Sequence, residues 1–365
     1  MVLKIFVPDI GSSNNTKIYT PLLYPSFSTE MAAEELSSKY GEWTSKIKYV
    51  STIQEADIVT AAFYNEKYIL NNKKSMLDDL YLEAKKNNKL LLLFTGGDHG
   101  ITSDYEHYHL YRLGGYLSKN KGNEFVFANF FEDPVKKYFN GLAPIIHLKP
   151  PKPLIGFCGQ GQTTGLKIVV DLFRTLKRLI AHQLHYNQWD VEKIESTTYT
   201  RSMMLNKLEK SEMVDTNFIR HKKYRAGAKD KNSKENSTLL FYENMKQTHY
   251  NICYRGNGNF SVRLFETLAC GRIPIIVKSD NNMIFPKDID WEQFPCVDEK
   301  SHYNIDQIVR DFHAGLTNES FVQLQLNART IWLNYLSYKG YMDTMIEKYL
   351  AIKAIAAINH KSNIV

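Results

Sequence analysis

The segment 253–277 constrains this chain more than any other. Arg255-Gly256-Asn257-Gly258-Asn259-Phe260 reads as a glycine-punctuated loop, Ser261 as the N-cap of a helix, Gly271 as its stop, and Ile273-Pro274-Ile275-Ile276-Val277 as a buried strand. A loop, helix and strand in that order belong to an α/β domain and present a helix N-terminus to an anion. Gly256 and Gly258, with Asn257 and Asn259 beside them, let backbone N–H groups approach a diphosphate. Arg255 and Arg263 add forked cationic donors. Glu266, three residues beyond Arg263, shares its helix face and suits ribose hydroxyls. The same spacing also makes an ordinary surface ion pair, worth about 0.2–0.5 kcal/mol.

The string from Arg255 through Ser261, Arg263, Glu266 and Leu268 to Gly271-Arg272-Ile273-Pro274-Ile275-Ile276-Val277 continues to Ser279-Asp280, Phe285-Pro286 and Ile289-Asp290-Trp291. It resembles the C-terminal core of exostosin-type glycosyltransferases, carbohydrate-active family 47. Weaker similarity covers most of the chain: Lys4-Ile5-Phe6-Val7-Pro8-Asp9 resembles the family's opening strand, Gly97-Asp98-His99 its Asp-His element, and Leu154-Ile155-Gly156-Phe157-Cys158-Gly159 the strand opening its second domain. The resemblance implies an α/β protein of GT-B fold, two Rossmann-like domains facing across a cleft. It further implies inverting transfer of a sugar from a nucleotide diphosphate donor, UDP rather than GDP, to a glycan or glycolipid acceptor in polysaccharide synthesis. Where the family carries an arginine near the start of the next helix, this chain has the donor-loop candidates Gly159, Gln160 and Gly161, and its nearest cation is Lys167. A retaining enzyme of this fold often carries a second glutamate eight residues before the one matching Glu266. Here that position is Gly258. The non-enzymatic alternative is an inactive partner subunit that binds sugar or nucleotide without turnover.

Strand-like runs at 3–7, 58–63 and 90–94 alternate with helical patterns near 29–39 and 75–87, so the first half reads as a Rossmann-like sheet. The proline-rich segment 143–153 reads as a linker. It divides an acceptor-side domain, 1–148, from a nucleotide-sugar domain, 149–340, with a C-terminal helix at 341–365 expected to pack back on the first domain. The second domain carries helical patterns at 166–182 and 305–314, and the polar run 229–236 reads as a solvated loop.

In open α/β sheets ligands bind beyond the carboxyl ends of strands. That rule points in the first domain to Asp98 and His99 as candidates for the general base, with Asp9 in reserve. Glu106-His107-Tyr108-His109 is a further reserve, though it reads more simply as a polar helix start. No metal is expected: Asp288-Ile289-Asp290 lies late in the chain, and His182 and His185 lack a nearby acid or thiol. The only co-substrate expected is the nucleotide sugar.

A net charge of +7 suits an anionic donor or an anionic membrane face, and nothing resembles a nucleic-acid-binding motif. The chain enters its first strand without a signal-peptide pattern, and no run of about 18 apolar residues occurs. A cytoplasmic protein is therefore expected, compatible with a peripheral hold on a membrane and with self-association or a partner subunit. The four cysteines have no metal-like spacing, and an Asn-Phe-Ser sequon begins at Asn259 inside the proposed loop.

Overall fold

A computed structural model describes residues 1–8, 19–28, 31–139, 141, 143–184 and 189–362. The described elements are, in chain order, β1 (Leu3–Phe6), α1 (Ala33–Tyr40), β2 (Ile47–Val50), β3 (Ile58–Thr60), α2 (Asn65–Leu70), α3 (Lys74–Lys86), β4 (Leu90–Thr95), β5 (Tyr108–Arg112), β6 (Glu124–Val126) and α4 (Pro134–Tyr138). There follow β7 (Leu154–Gln160), α5 (Gly165–Gln183), α6 (Thr197–Glu209), β8 (Asp215–His221), α7 (Lys231–Gln247), β9 (Tyr250–Cys253), α8 (Val262–Ala269), β10 (Ile273–Lys278), β11 (Cys296–Asp298), α9 (Ile305–Ala314), α10 (Asn318–Ile331) and α11 (Tyr338–Ser362). Asp9 and His185 lie outside the described residues.

Two units result, each an α/β layer structure built on one parallel sheet, the α/β class expected from sequence. One unit takes Met1–Gly115, Lys119–Phe130 and Asn334–Val365; the other takes Tyr116–Ser118 and Phe131–Leu333. The first sheet runs β2-β1-β3-β4-β5-β6. Its centre is β4, where Leu91, Leu92, Leu93 and Phe94 are wholly buried because helices and neighbouring strands cover both faces. Leu77, Leu80 and Ala84, one stripe of α3, pack on this core. The final helix α11 belongs to the same unit: Tyr349 Oη lies 2.7 Å from Tyr111 Oη, and Asp343 accepts the Trp43 N–H at 2.7 Å.

The second sheet runs β11-β10-β9-β7-β8, every neighbouring pair parallel. Its first strand in chain order, β7, lies between β8 and β9. The winding therefore reverses direction between β7 and β9, and the loops leaving these two strands diverge. That reversal is where open α/β sheets form a crevice.

Several local expectations differ from what forms. The proline-rich segment lies inside the second unit. Arg272 donates to the Ile145 carbonyl, and Gln325 exchanges hydrogen bonds with the His147 backbone at 2.8 and 2.9 Å. The polar run 229–236 is mostly the first two turns of α7. Asp230 caps it by accepting the Ser233 N–H at 2.9 Å, and burial of Tyr242 and Met245 further along holds the helix down. The His107 to His109 region runs into strand β5 instead of a helix, pairing Leu91 with Tyr108 and burying Tyr108 and Leu110 in the first core.

Candidate functional site

The crevice at the reversal is a cavity of about 650 Å³ lying wholly within the second unit. Its walls come from four places: the loop after β7 (Gln160, Gln162, Thr163, Thr164), one face of α5, the residues just after β8 (Lys222, Lys223, Tyr224), and Arg255 and Asn257 after β9. A loop containing Glu192, Lys193 and Glu195 closes the remaining side. On α5 the contributing positions are Lys167, Asp171, Arg174, Thr175 and Arg178, spaced so that they share one helical face. Thr164 caps that helix through the Lys167 N–H at 3.3 Å.

Seven of the lining side chains are basic and three are acidic. The acids are already engaged. Asp171 pairs with Lys167, while Glu192 and Glu195 both face Arg255, the latter at 3.1 Å. Among the described residues, Arg178, Lys222 and Lys223 carry no ion pair and remain exposed to the cavity and solvent. The surplus charge is cationic.

Arg255 is not the open phosphate ligand that its place in the motif suggests. Its side chain is 2% exposed, it donates to Tyr116 Oη at 3.1 Å, and it forms an ion pair with Glu192. Burial is the largest influence and opposes its charge, yet Glu192, Tyr116 and Glu195 together outweigh it and hold the guanidinium above its ordinary pKa. Glu195 is held above the usual carboxylate range by burial, with Glu299 and Glu192 adding to the effect and Arg255 opposing it.

Of the other site residues read from sequence, Gln160, Lys167 and Asn257 line the cavity. Gly256, Gly258, Asn259, Ser261, Arg263, Glu266, Gly159 and Gly161 are not among its lining residues. The Gly256 N–H is already donated to Phe260 O at 3.2 Å. Ser261 occupies the N-cap position of α8 without a side-chain cap bond. Asn259 is 1% exposed and accepts from Ser279 Oγ at 2.7 Å, so its sequon is inaccessible to a glycan in the folded chain. Arg263 lies over the Phe157 ring at 4.2 Å and donates to the Cys158 carbonyl at 2.8 Å. Gly159 makes that possible. Its φ is +152°, and a Cβ there would stand 2.9 Å from the Arg263 guanidinium. Gly161 is tied down by Arg220, which donates to its carbonyl at 2.7 and 3.0 Å.

Arg201 had no motif to announce it. From α6 it donates to Gln160 O at 3.1 Å and to Arg255 O at 2.6 Å, joining the two loops that leave β7 and β9. Burial, then the neighbouring Arg263, push its pKa down to about 10. Burial also lowers that of Arg263. Two desolvated guanidinium groups of like charge therefore stand near one another. The signal available in sequence was weak: basic residues at 167, 174 and 178, and the adjacent pair Lys222-Lys223.

In the first unit, Asp98 is exposed and His99 half-buried in the turn after β4, with Arg112 Nη2 donating to the His99 carbonyl at 3.0 Å. Beside this turn stands Glu66 of α2, which the sequence did not single out. One carboxyl oxygen accepts the Gly96 N–H at 2.8 Å, and the other is buried without a hydrogen-bond partner. Burial raises its pKa, which its own backbone N–H, Gly96 and Lys67 oppose.

Asp290, the second acid of the Asp-x-Asp run, caps a short turn by accepting the Glu292 N–H at 3.1 Å. Among the described residues no three His, Cys, Asp or Glu side chains cluster as metal ligands. All four cysteines are unpaired. No described helix is long and apolar enough to cross a membrane.

No protein-family profile matches the chain, and no curated protein sequence does. Among solved structures, a glycosyltransferase from Rickettsia africae aligns over 96% of this chain and 98% of its own, at 10% identity and a TM-score of 0.38. HepE of Anabaena, solved with UDP and glucose, aligns over 96% and 100% at 10% identity, with a TM-score of 0.33. A mutant of TarM from S. aureus, solved with fondaparinux, alpha-GlcNAc-glycerol and UDP, aligns over 74% and 57% at 10% identity, with a TM-score of 0.31.

Proposed function

We propose that the protein is a glycosyltransferase of GT-B type that binds a nucleotide diphosphate sugar, UDP-linked in preference to GDP-linked, in the cavity of the second unit. The observation that carries this is the basic crevice at the carboxyl ends of β7, β8 and β9, about 650 Å³ in volume, with Lys222, Lys223 and Arg178 unpaired. A ligand of that size and of negative charge matches it. The motif around Arg255 to Glu266 and its resemblance to exostosin-type enzymes support the same conclusion.

In this mechanism an acceptor hydroxyl of a glycan or glycolipid attacks the anomeric carbon as the bond to the diphosphate breaks, with inversion. The charge developing on the leaving diphosphate falls among the lysines and arginines of the cavity, so side chains supply the positive charge and no metal is required. A carboxylate or imidazole takes the hydroxyl proton. One of Asp98 and His99 serves as that base, with Asp9 in reserve.

The ion-paired state of Arg255 also suits a partner subunit that binds nucleotide without turnover, and hydrolysis or transfer assays on the nucleotide-bound protein separate the two. Isothermal titration of the purified chain with UDP is expected to show saturable binding. Reversing Lys222 and Lys223 to Glu together should weaken it about tenfold or more, the equivalent of one lost charge-assisted contact. Absence of binding by UDP and GDP alike would remove the assignment.

A further inference from the structure

The face of α5 turned away from the cavity is apolar and uncovered. Leu166, Val169, Val170, Phe173, Leu176 and Ile180 are 40–76% exposed, and no residue of this 19-residue helix is fully buried. At about 100° per residue these six side chains fall in an arc of roughly 120°, a continuous stripe some 20 Å long. The next helix, α6, by contrast buries Met204, Leu205 and Leu208.

One edge of the stripe is cationic. Arg174 and Arg178 lie along it, Lys177 projects from within the arc itself, and the helix's single acid, Asp171, is neutralised by Lys167. Two copies packing stripe to stripe would bring these cations together, and like charges at close range repel. An anionic lipid surface meets both features: acyl chains take the apolar arc, and headgroup phosphates take the basic edge. We propose that α5 docks the protein on an anionic membrane surface, lying in the interface instead of crossing it.

Docking stands independently of the nucleotide assignment. UDP titration without vesicles tests the latter, and vesicle sedimentation without nucleotide tests the former. The full chain should pellet with vesicles of phosphatidylcholine containing phosphatidylglycerol, less as salt rises, and scarcely with phosphatidylcholine alone. Val169→Ser with Phe173→Ser should weaken vesicle binding about tenfold or more, since each loses apolar area that would enter the bilayer. Both side chains are exposed, so the unfolding midpoint should hold. Lys177→Glu, at a position outside the cavity lining, should weaken binding at low salt and leave UDP affinity unchanged. No pelleting with the anionic vesicles at low salt would overturn the proposal, as would pelleting indifferent to both sets of substitutions. A concentration-dependent dimer dissolved by the serine pair would assign the stripe to a second copy instead.

Discussion

Replacing Arg255 by Met is expected to destabilise the protein by about 3–5 kcal/mol, the usual consequence of breaking a buried ion pair from one side. The guanidinium is 2% exposed and Glu192 8%, so removal of the cation leaves a carboxylate with little water around it and Glu195 nearby. Tyr116 loses a hydrogen-bond donor at the same time. Urea unfolding measures the loss. It should shrink as pH falls, because Glu195, already held above the usual carboxylate range by burial, takes up a proton more readily once its opposing cation is gone. A triple variant, Arg255→Met with Glu192→Gln and Glu195→Gln, should regain much of the stability, since the charges it lacks include those left unpaired. If Arg255 served only as a phosphate ligand, Arg255→Met would unfold at the wild-type midpoint and lose nucleotide affinity alone. That outcome would show that the ion pair is incidental.

Glu266→Gln is expected to gain stability with rising pH relative to wild type. Burial pushes the Glu266 carboxyl up to about 7 from an ordinary 4.5, more than Arg263 and Arg225 pull it down. Between those values the folded protein holds a proton that the unfolded chain has released. Wild-type stability therefore falls as pH rises from about 4.5 through 7 by an amount on the order of 3 kcal/mol, then levels off. The amide cannot ionise, so the variant escapes that loss. The two proteins should be equally stable near pH 4.5, with the variant ahead at pH 8 in parallel denaturation curves. Identical pH profiles would mean that Glu266 ionises freely in the folded state. Its proposed contact with ribose has a separate readout: equal affinity for ribo- and 2′-deoxyribonucleotides would mark the residue as structural.

The site residues show why a motif and a site are different things. Arg255, Gly256, Arg263 and Glu266 were legible because their spacing is local, yet the direction each side chain takes depends on groups that arrive from elsewhere. Arg263 turns to the Cys158 carbonyl, 105 positions away, through space left by Gly159. Arg255 meets Glu192 and Tyr116 from loops unrelated to its own segment. Arg201, Lys222 and Lys223 were overlooked because no short pattern links them to the motif; the strand order does. Glu66 was missed for the same reason, since it meets Gly96 across 30 residues.

By itself the sequence determined the α/β class, the strands centred on β1, β4, β7 and β10, the full extent of α9, and the stop of α8 at Gly271, because apolar periodicity and glycine at positive φ act over a few residues. It also carried α5, though its uncovered face shows only when the helix is seen against its surroundings. Edge strand β2 and strand β5 escaped notice. The first is four residues long and never fully buried, and the second mixes His, Tyr and Arg that become acceptable in a strand only through distant partners such as Tyr349. Only the tertiary structure decided that β7 lies between β8 and β9. That order opens the cavity, gathers its cations, and turns the motif's arginines inward, and it is set by burial and pairing between segments that no local pattern connects.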